Sequence, residues 1–233
     1  MSFLFIDTES SGLIDYRTSL DAPHQPRLVG LGLVLCEASG EVRAKLSLLV
    51  QPDGWTISPE ASRVNNLTDA ICQTYGLPLH VVWALLIALT ETTPLLVAHN
   101  VDFDRSLLDI EWLRHQEFSP LEGIWYCTKE ALTPVMKLPK KTGQKVYSPR
   151  AELSEFKWPS LDEAHEFFFG TKVDHHHDAL ADAEACMRVY FALQKHQEVA
   201  MSIEKQEGLL DGLLRESGIK LPEGNLGDSA LEI

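Results

Sequence analysis

Phe3-Leu4-Phe5-Ile6 runs without interruption into Asp7-Thr8-Glu9. An apolar run this short has the character of a buried strand. The period of two along a strand puts acids at i and i+2 on one face of the sheet. Two anions at the end of a buried strand repel each other and lose hydration, so the arrangement calls for a cation. The competing reading is an ordinary polar strand end, and a single DxE does not choose between them.

Two more leucine-rich runs follow, from Arg27 to Glu37 and from Val42 to Pro52, with Ser39-Gly40 between them as a turn signal. They predict second and third strands joined by a hairpin. Ser58-Pro59-Glu60 starts a helix with a serine cap and a proline at its first position. Short helices are expected through Asn65 and Tyr75, and a longer one from Leu79 to Thr92. The run Leu95 to Asn100 reads as a buried strand ending at a polar pair, followed by a helix from Phe103 to His115. Ile124 to Cys127 is a plausible fifth strand, and Thr133 to Pro159 an ordered loop or flap. Ser160-Leu161-Asp162-Glu163 carries a capping-box pattern for a helix stopped by Gly170. The next helix is expected from His177 to about His196. A further helix through Leu209, Leu210, Leu213 and Leu214 precedes a tail punctuated by Gly and Pro. Three hairpin-forming strands followed by two strand and helix units describe an α/β class chain, a five-stranded mixed sheet flanked by helices.

Composition limits the function classes. With 233 residues, 45% of them hydrophobic, the chain can bury one sizeable core. The four cysteines, Cys36, Cys72, Cys127 and Cys186, lie at least 36 positions apart, which excludes a CxxC zinc knuckle or redox pair. Reduced thiols, the acids close behind Met1 and an apolar maximum of only Val81 to Leu89 predict a cytoplasmic protein without membrane contact. A net charge of −14 argues against a protein that coats nucleic acid by releasing counterions. It does not exclude a local site, because carboxylates that gather cations reverse the field a substrate meets. Between Lys129 and Lys157, seven basic residues face three acidic ones, so Lys140, Lys141 and Lys145 are candidate phosphate contacts.

Two further segments complete the chemistry. In Val97-Ala98-His99-Asn100-Val101-Asp102-Phe103-Asp104, Phe103 can anchor in the core and carry Asp104 to the strand end. Asp102 is then the natural helix cap. In His175-His176-His177-Asp178-Ala179-Leu180-Ala181-Asp182, five steps within one helix would separate His177 and Asp182 by roughly 140°. They converge only if His177 lies on the approach loop and Asp182 in the first turns. His175 and His176 are assigned to a solvated loop. Four carboxylates suit two hard divalent cations, Mg²⁺ or Mn²⁺, better than zinc. A pair of such ions serves in-line phosphoryl displacement, with a histidine as the base for water.

The segments IDTE, AHNVDFD and HDALAD, in this order, resemble the three motifs of the DEDDh (DnaQ-like) 3′ to 5′ exonucleases of the ribonuclease H-like superfamily. The resemblance covers roughly Phe3 to Leu193. It implies a ribonuclease H-like fold with strands 1 to 3 antiparallel, Asp7, Glu9, Asp104 and Asp182 as metal ligands, and His177 as general base. It further implies a leucine wedge at Leu13, a 3′-hydroxyl contact near Thr8 and a substrate contact at Asn100. The stretch Val64-Asn65-Asn66-Leu67-Thr68 departs from the histidine-glycine-isoleucine-threonine often found there. Phe103, Tyr147, Phe156 and Trp158 are each either base platforms or core. Residues 1–196 are expected to form the exonuclease domain and 197–233 a C-terminal helix and tail. That tail is an ordinary packed helix or a dock for a protein partner. Single-stranded or frayed 3′ ends of DNA are the favoured substrate. The alternatives are an exoribonuclease, a polymerase-associated proofreading subunit and, in a different class, a catalytically silent nucleic-acid-binding module.

Overall fold

Strand β1, Ser2–Ser10, is buried on both faces along most of its length and accordingly lies at the centre of the sheet. The computed structural model describes residues 2–115, 121, 123–140, 156–174 and 177–217, without the side chains of 204 and 207–217. β2 is Leu28–Glu37, β3 Val42–Leu49, β4 Leu95–Ala98 and β5 Ile124–Cys127, and the sheet runs in the order β3-β2-β1-β4-β5. The pairs β1/β2 and β2/β3 are antiparallel, whereas β1/β4 and β4/β5 are parallel. The expected mixed sheet with three antiparallel strands is therefore present. Gly40, at φ 86°, turns β2 into β3, as Ser39-Gly40 predicts.

Alternation along β1 divides its side chains between two layers. Leu4 and Ile6 join Leu31, Leu33, Val82, Leu86, Leu107 and Leu108 in the main core beneath helices α3 (Leu79–Thr90) and α4 (Val101–Arg114). Trp83 and Trp112 stack there at 3.9 Å between ring centroids. Phe3 and Phe5 face the other way and meet Tyr190, each 5.5 Å away, on helix α7 (Ala179–Ser217). Asp7 and Glu9 continue this second row, so the strand period aims both acids toward the side that α7 covers.

The shorter helices are α1 (Pro59–Asn65), α2 (Asp69–Tyr75), α5 (Thr128–Met136) and α6 (Leu161–Phe169). Ser58 caps α1 ahead of Pro59, and Ser160 with Glu163 forms the expected capping box on α6, which Gly170 ends in the left-handed region.

Three expectations need correction. α4 begins at Val101, because Phe103 and Asp104 already donate backbone N–H groups to the Asn100 carbonyl. Asp102 therefore lies exposed inside the first turn, where it complements the helix dipole, and is not the cap. The stretch expected as a loop from Thr133 begins inside α5, which continues through Pro134. The helix predicted from His177 to His196 starts at Ala179 and runs unbroken to Ser217. Lys141, Lys145, Tyr147, His175, His176 and residues 218–233 lie outside the described residues.

The chain divides into two units, Met1–Ala192, which holds the sheet, and Leu193–Ile233, whose described part is helical. No helix among the described residues is long and apolar enough to cross a membrane.

Candidate active site

β1 and β4 are parallel, so their carboxyl ends open at the same edge of the sheet, where α4 and α7 begin. From β4, two residues lead into α4 and bring Asp104 to the end of β1, with only 3% of its surface exposed. Asp104 Oδ1 accepts the Thr8 backbone N–H at 3.0 Å and the Thr8 hydroxyl at 2.8 Å. Both donors of Thr8 are thereby engaged, so the expected 3′-hydroxyl contact there would fall to its oxygen acceptors. Phe103 packs against the main core, which makes it an anchor for Asp104 and not a base platform.

His177 stands two residues ahead of α7 in the left-handed region, at φ 71°. From there its backbone N–H donates to Asp182 Oδ2 at 3.0 Å. Asp178 caps the helix, its Oδ1 accepting from Leu180 and Ala181 N–H at 3.1 and 3.0 Å. Asp182, 4% exposed, thus lies in the first turn of α7 while His177 remains off the helix. One ligand atom from each of Glu9, His177 and Asp182 lies within 4.8 Å of the other two. The N-terminus of α7 reaches this depth because Gly32, the register partner of Asp7 on β2, has no side chain. A Cβ there would meet the Ala179 carbonyl oxygen at 2.0 Å and the Leu180 nitrogen at 2.5 Å.

The acids resist one another electrostatically. Burial, followed by the charges of Asp104, Asp182 and Glu9, holds the Asp7 carboxyl well above the usual range. Burial and Asp182 push Glu9 up to about 8, although a hydrogen bond from Asn65 opposes the shift. Burial also pushes Asp104 up to about 7 against the opposing effects of the Thr8 hydrogen bonds and the Lys129 charge. These carboxylates form a set of oxygen donors whose crowding a divalent cation would relieve, which is the donor chemistry of Mg²⁺ or Mn²⁺.

Asn65 was left unassigned by the sequence, and the structure gives it a place. Its amide reaches both Glu9 and the Ser10 carbonyl, the latter at 3.3 Å, while Asn66 takes the left-handed conformation at φ 59° that glycine would otherwise supply. Glu9, His177 and Asn65 line one small cleft together with Leu67 and Asp178. Leu13 is 91% exposed on the loop after β1. The buried Gln25 side chain fixes that loop by accepting from the Asp15 N–H and donating to the Asp15 and Ser19 carbonyls. Arg27 anchors the loop to Glu111 on α4 at 2.8 Å. Asn100 bonds to Lys129, and Lys140 is exposed at the end of a described segment.

The family described as an exonuclease, RNase T, matches residues 4–190. The chain belongs to the RNase T exonuclease family. Its membership makes it a nuclease, a hydrolase of phosphodiester bonds. Among solved structures, E. coli exonuclease I in complex with a dT13 oligonucleotide is similar, with a TM-score of 0.64 at 16% identity. The match covers 87% of this chain and 43% of that one. Exonuclease X in complex with 5′ overhanging duplex DNA matches with a TM-score of 0.55 at 21% identity, over 83% of this chain and 92% of that one. Exonuclease I from Methylocaldum szegediense gives 0.60 at 16% identity, over 84% and 41%. These likenesses establish a shared fold. The chain spans less than half the length of the exonuclease I structures it matches. No curated protein matches it at a significant level.

Within this RNase T family chain, sequence reasoning did not single out Gly32, Lys129 or the Glu9 contact of Asn65. Gly30 and Gly32 inside a strand carried a usable signal, since interior strand glycines mark close backbone approach. Lys129 and Asn65 carried none, because their partners are distant in the chain.

Proposed function

We propose that the protein is a metal-dependent 3′ to 5′ exonuclease that acts on single-stranded or frayed 3′ ends, with DNA as the preferred substrate. The observation that carries this reading is the convergence of Glu9, His177 and Asp182 within 4.8 Å, beside the buried Asp104 and the half-buried Asp7, whose carboxyl the charges of the other acids repel. Asp7, Glu9, Asp104 and Asp182 hold two divalent cations, Mg²⁺ or Mn²⁺. When bound, these supply charge stabilisation for the attacking and leaving oxygens of an in-line displacement. His177 is the general base, its imidazole accepting the proton of the attacking water. Thr8 fixes Asp104 and Asn65 steadies Glu9, so the chain orients its acids through neutral donors. Leu13 offers an exposed apolar surface to the terminal base, and Asn100, Lys140, Lys141 and Lys145 contact the strand. A DNA substrate accords with the oligonucleotide bound to E. coli exonuclease I and the overhanging duplex bound to exonuclease X.

The test compares matched DNA and RNA oligonucleotides, labelled at either end, with Mg²⁺ or Mn²⁺. A 3′ label should leave as a mononucleotide while a 5′ label remains on a shortening ladder, faster on DNA. Asp182→Asn should lose nearly all turnover while folding normally, and His177→Ala should lower kcat by roughly 10²- to 10⁴-fold. A parent protein that releases neither label with either ion overturns the reading, and faster cleavage of RNA replaces its substrate.

A further inference from the structure

Asn100 occupies the cap position of α4 yet caps nothing, because its side chain makes no bond to the helix amides. Its Oδ1 instead accepts from Lys129 Nζ, which comes from the first turn of α5 beyond the neighbouring strand β5. Lys129 in turn lies over the Trp158 ring, 4.3 Å from the centroid. The backbone on either side of this group is also fixed. His99 bonds to the Thr128 hydroxyl at 2.9 Å and to the Pro159 carbonyl at 3.1 Å, joining the residues that flank Asn100, Lys129 and Trp158.

The chemistry of an ammonium settles how the amide stands. It has three donors and no acceptor, so it can face only the oxygen end of an asparagine side chain. With Oδ1 taken by Lys129, the two N–H groups of Nδ2 point elsewhere, and only an acceptor can meet them. Lys129 itself is half-buried and pinned by an aromatic face; desolvation lowers its pKa, opposed by the charges of Cys127 and Asp102. A lysine free to swing among crowded carboxylates would pair with them and compete with divalent cations. An amide donor cannot, since it carries no charge.

We propose that Lys129, held by Trp158, is a positioning residue that locks the Asn100 amide with Nδ2 turned toward an acceptor oxygen of the sugar-phosphate strand. The inference rests on the nuclease reading of this site, and it assigns the specificity for a backbone oxygen to a neutral donor backed by a half-buried cation. Lys129 acts through Asn100 and makes no phosphate contact of its own.

Lys129→Met should lower kcat/KM on a single-stranded deoxyoligonucleotide by about tenfold, the effect of one lost hydrogen bond. In an Asn100→Ala background the same change should have less than a twofold effect, because the group it positions is gone. Lys129→Arg should restore most of the activity, since guanidinium also only donates and stacks on an aromatic ring. The slope of log KM against log salt should be equal for the parent and Lys129→Met. A slope smaller by about one would mean that the lysine binds phosphate directly, which overturns the proposal. Additive losses in the double variant would overturn it as well. A readout independent of turnover is the ¹⁵N–¹H signal of the Asn100 side-chain amide in metal-free protein, which should shift in Lys129→Met. An unmoved signal refutes the clamp alone, whereas a parent that cleaves no oligonucleotide refutes the nuclease reading and the purpose of the donor with it.

Discussion

Glu9 keeps its proton to about pH 8 and Asp104 to about 7, because burial penalises both charged forms and, at Glu9, neighbouring anions add to it. In the unfolded chain both release it near the ordinary carboxyl range. Between those limits the folded metal-free protein binds more protons than the unfolded one, so its stability falls as pH rises from about 4.5 to about 8. Divalent cations need the deprotonated acids, so the gain in Tm from added Mg²⁺ or Mn²⁺ should grow between pH 6 and pH 8. Glu9→Gln should raise the metal-free Tm at pH 8 and shrink the metal-induced gain. A thermal shift series that finds a gain independent of pH would contradict both the cation set and the repulsion behind it. At this scale the strand period makes Asp7 and Glu9 legible as a pair, and the angular argument states the condition for convergence, His177 off the helix, which the start of α7 at Ala179 meets although the apolar pattern begins that helix at His177. The assignment of Asp102 as cap failed because the turn after β4 is two residues long, a length that the apolar pattern does not register. Asn65 and Lys129 were silent for another reason: their importance lies entirely in what distant side chains do beside them.

Among the secondary elements, the close seat of α7 on β2 governs where Asp182 and His177 stand. Gly32→Ala adds a methyl group into the backbone of Ala179 and Leu180, which cannot yield as a flexible side chain does. Overpacking of this kind costs about 1–3 kcal/mol, and a displacement near 1 Å at a catalytic centre costs about 10²-fold in rate. The Gly32→Ala variant should therefore lose far more turnover than thermal stability, measured as kcat beside Tm. Unchanged kcat would show that the helix seat is not what sets the geometry. Most elements were readable because capping residues and alternation coincide, as at Ser58-Pro59 and Ser160 with Glu163. α5 is not expected because the loop is read from Thr133, which leaves too few residues after Cys127 for a helix, whereas Pro134 is accommodated near the end of a short one. α7 proved longer than expected because no residue from His196 to Glu207 breaks a helix, and Gly208 and Gly212 are carried within it.

For the whole molecule, the net charge of −14 and a nucleic-acid substrate are reconciled if cations occupy the acidic cluster and reverse the field locally. Every proposed catalytic and metal-binding residue lies within Met1–Ala192. A chain shortened to residues 1–196 should therefore fold and retain turnover within a few-fold of the parent. Size measurements on both forms report whether residues 197–233 carry a partner or self-association. Loss of cleavage in a shortened chain that remains folded would tie the tail to the site. Fold class was accessible to pattern because strands and helices alternate after the hairpins, whereas the order of the strands across the sheet was not, since it depends on pairings distant in the chain. The role of the last residues was not, since leucines spaced along a helix fit packing and docking equally well. The proposed centre draws Asp7 from the start of the chain and Asp182 from near the end of the first unit. A polypeptide released before Asp182 is added would carry all five strands yet lack one of the four proposed metal ligands, so a premature stop there should leave a protein that cuts nothing.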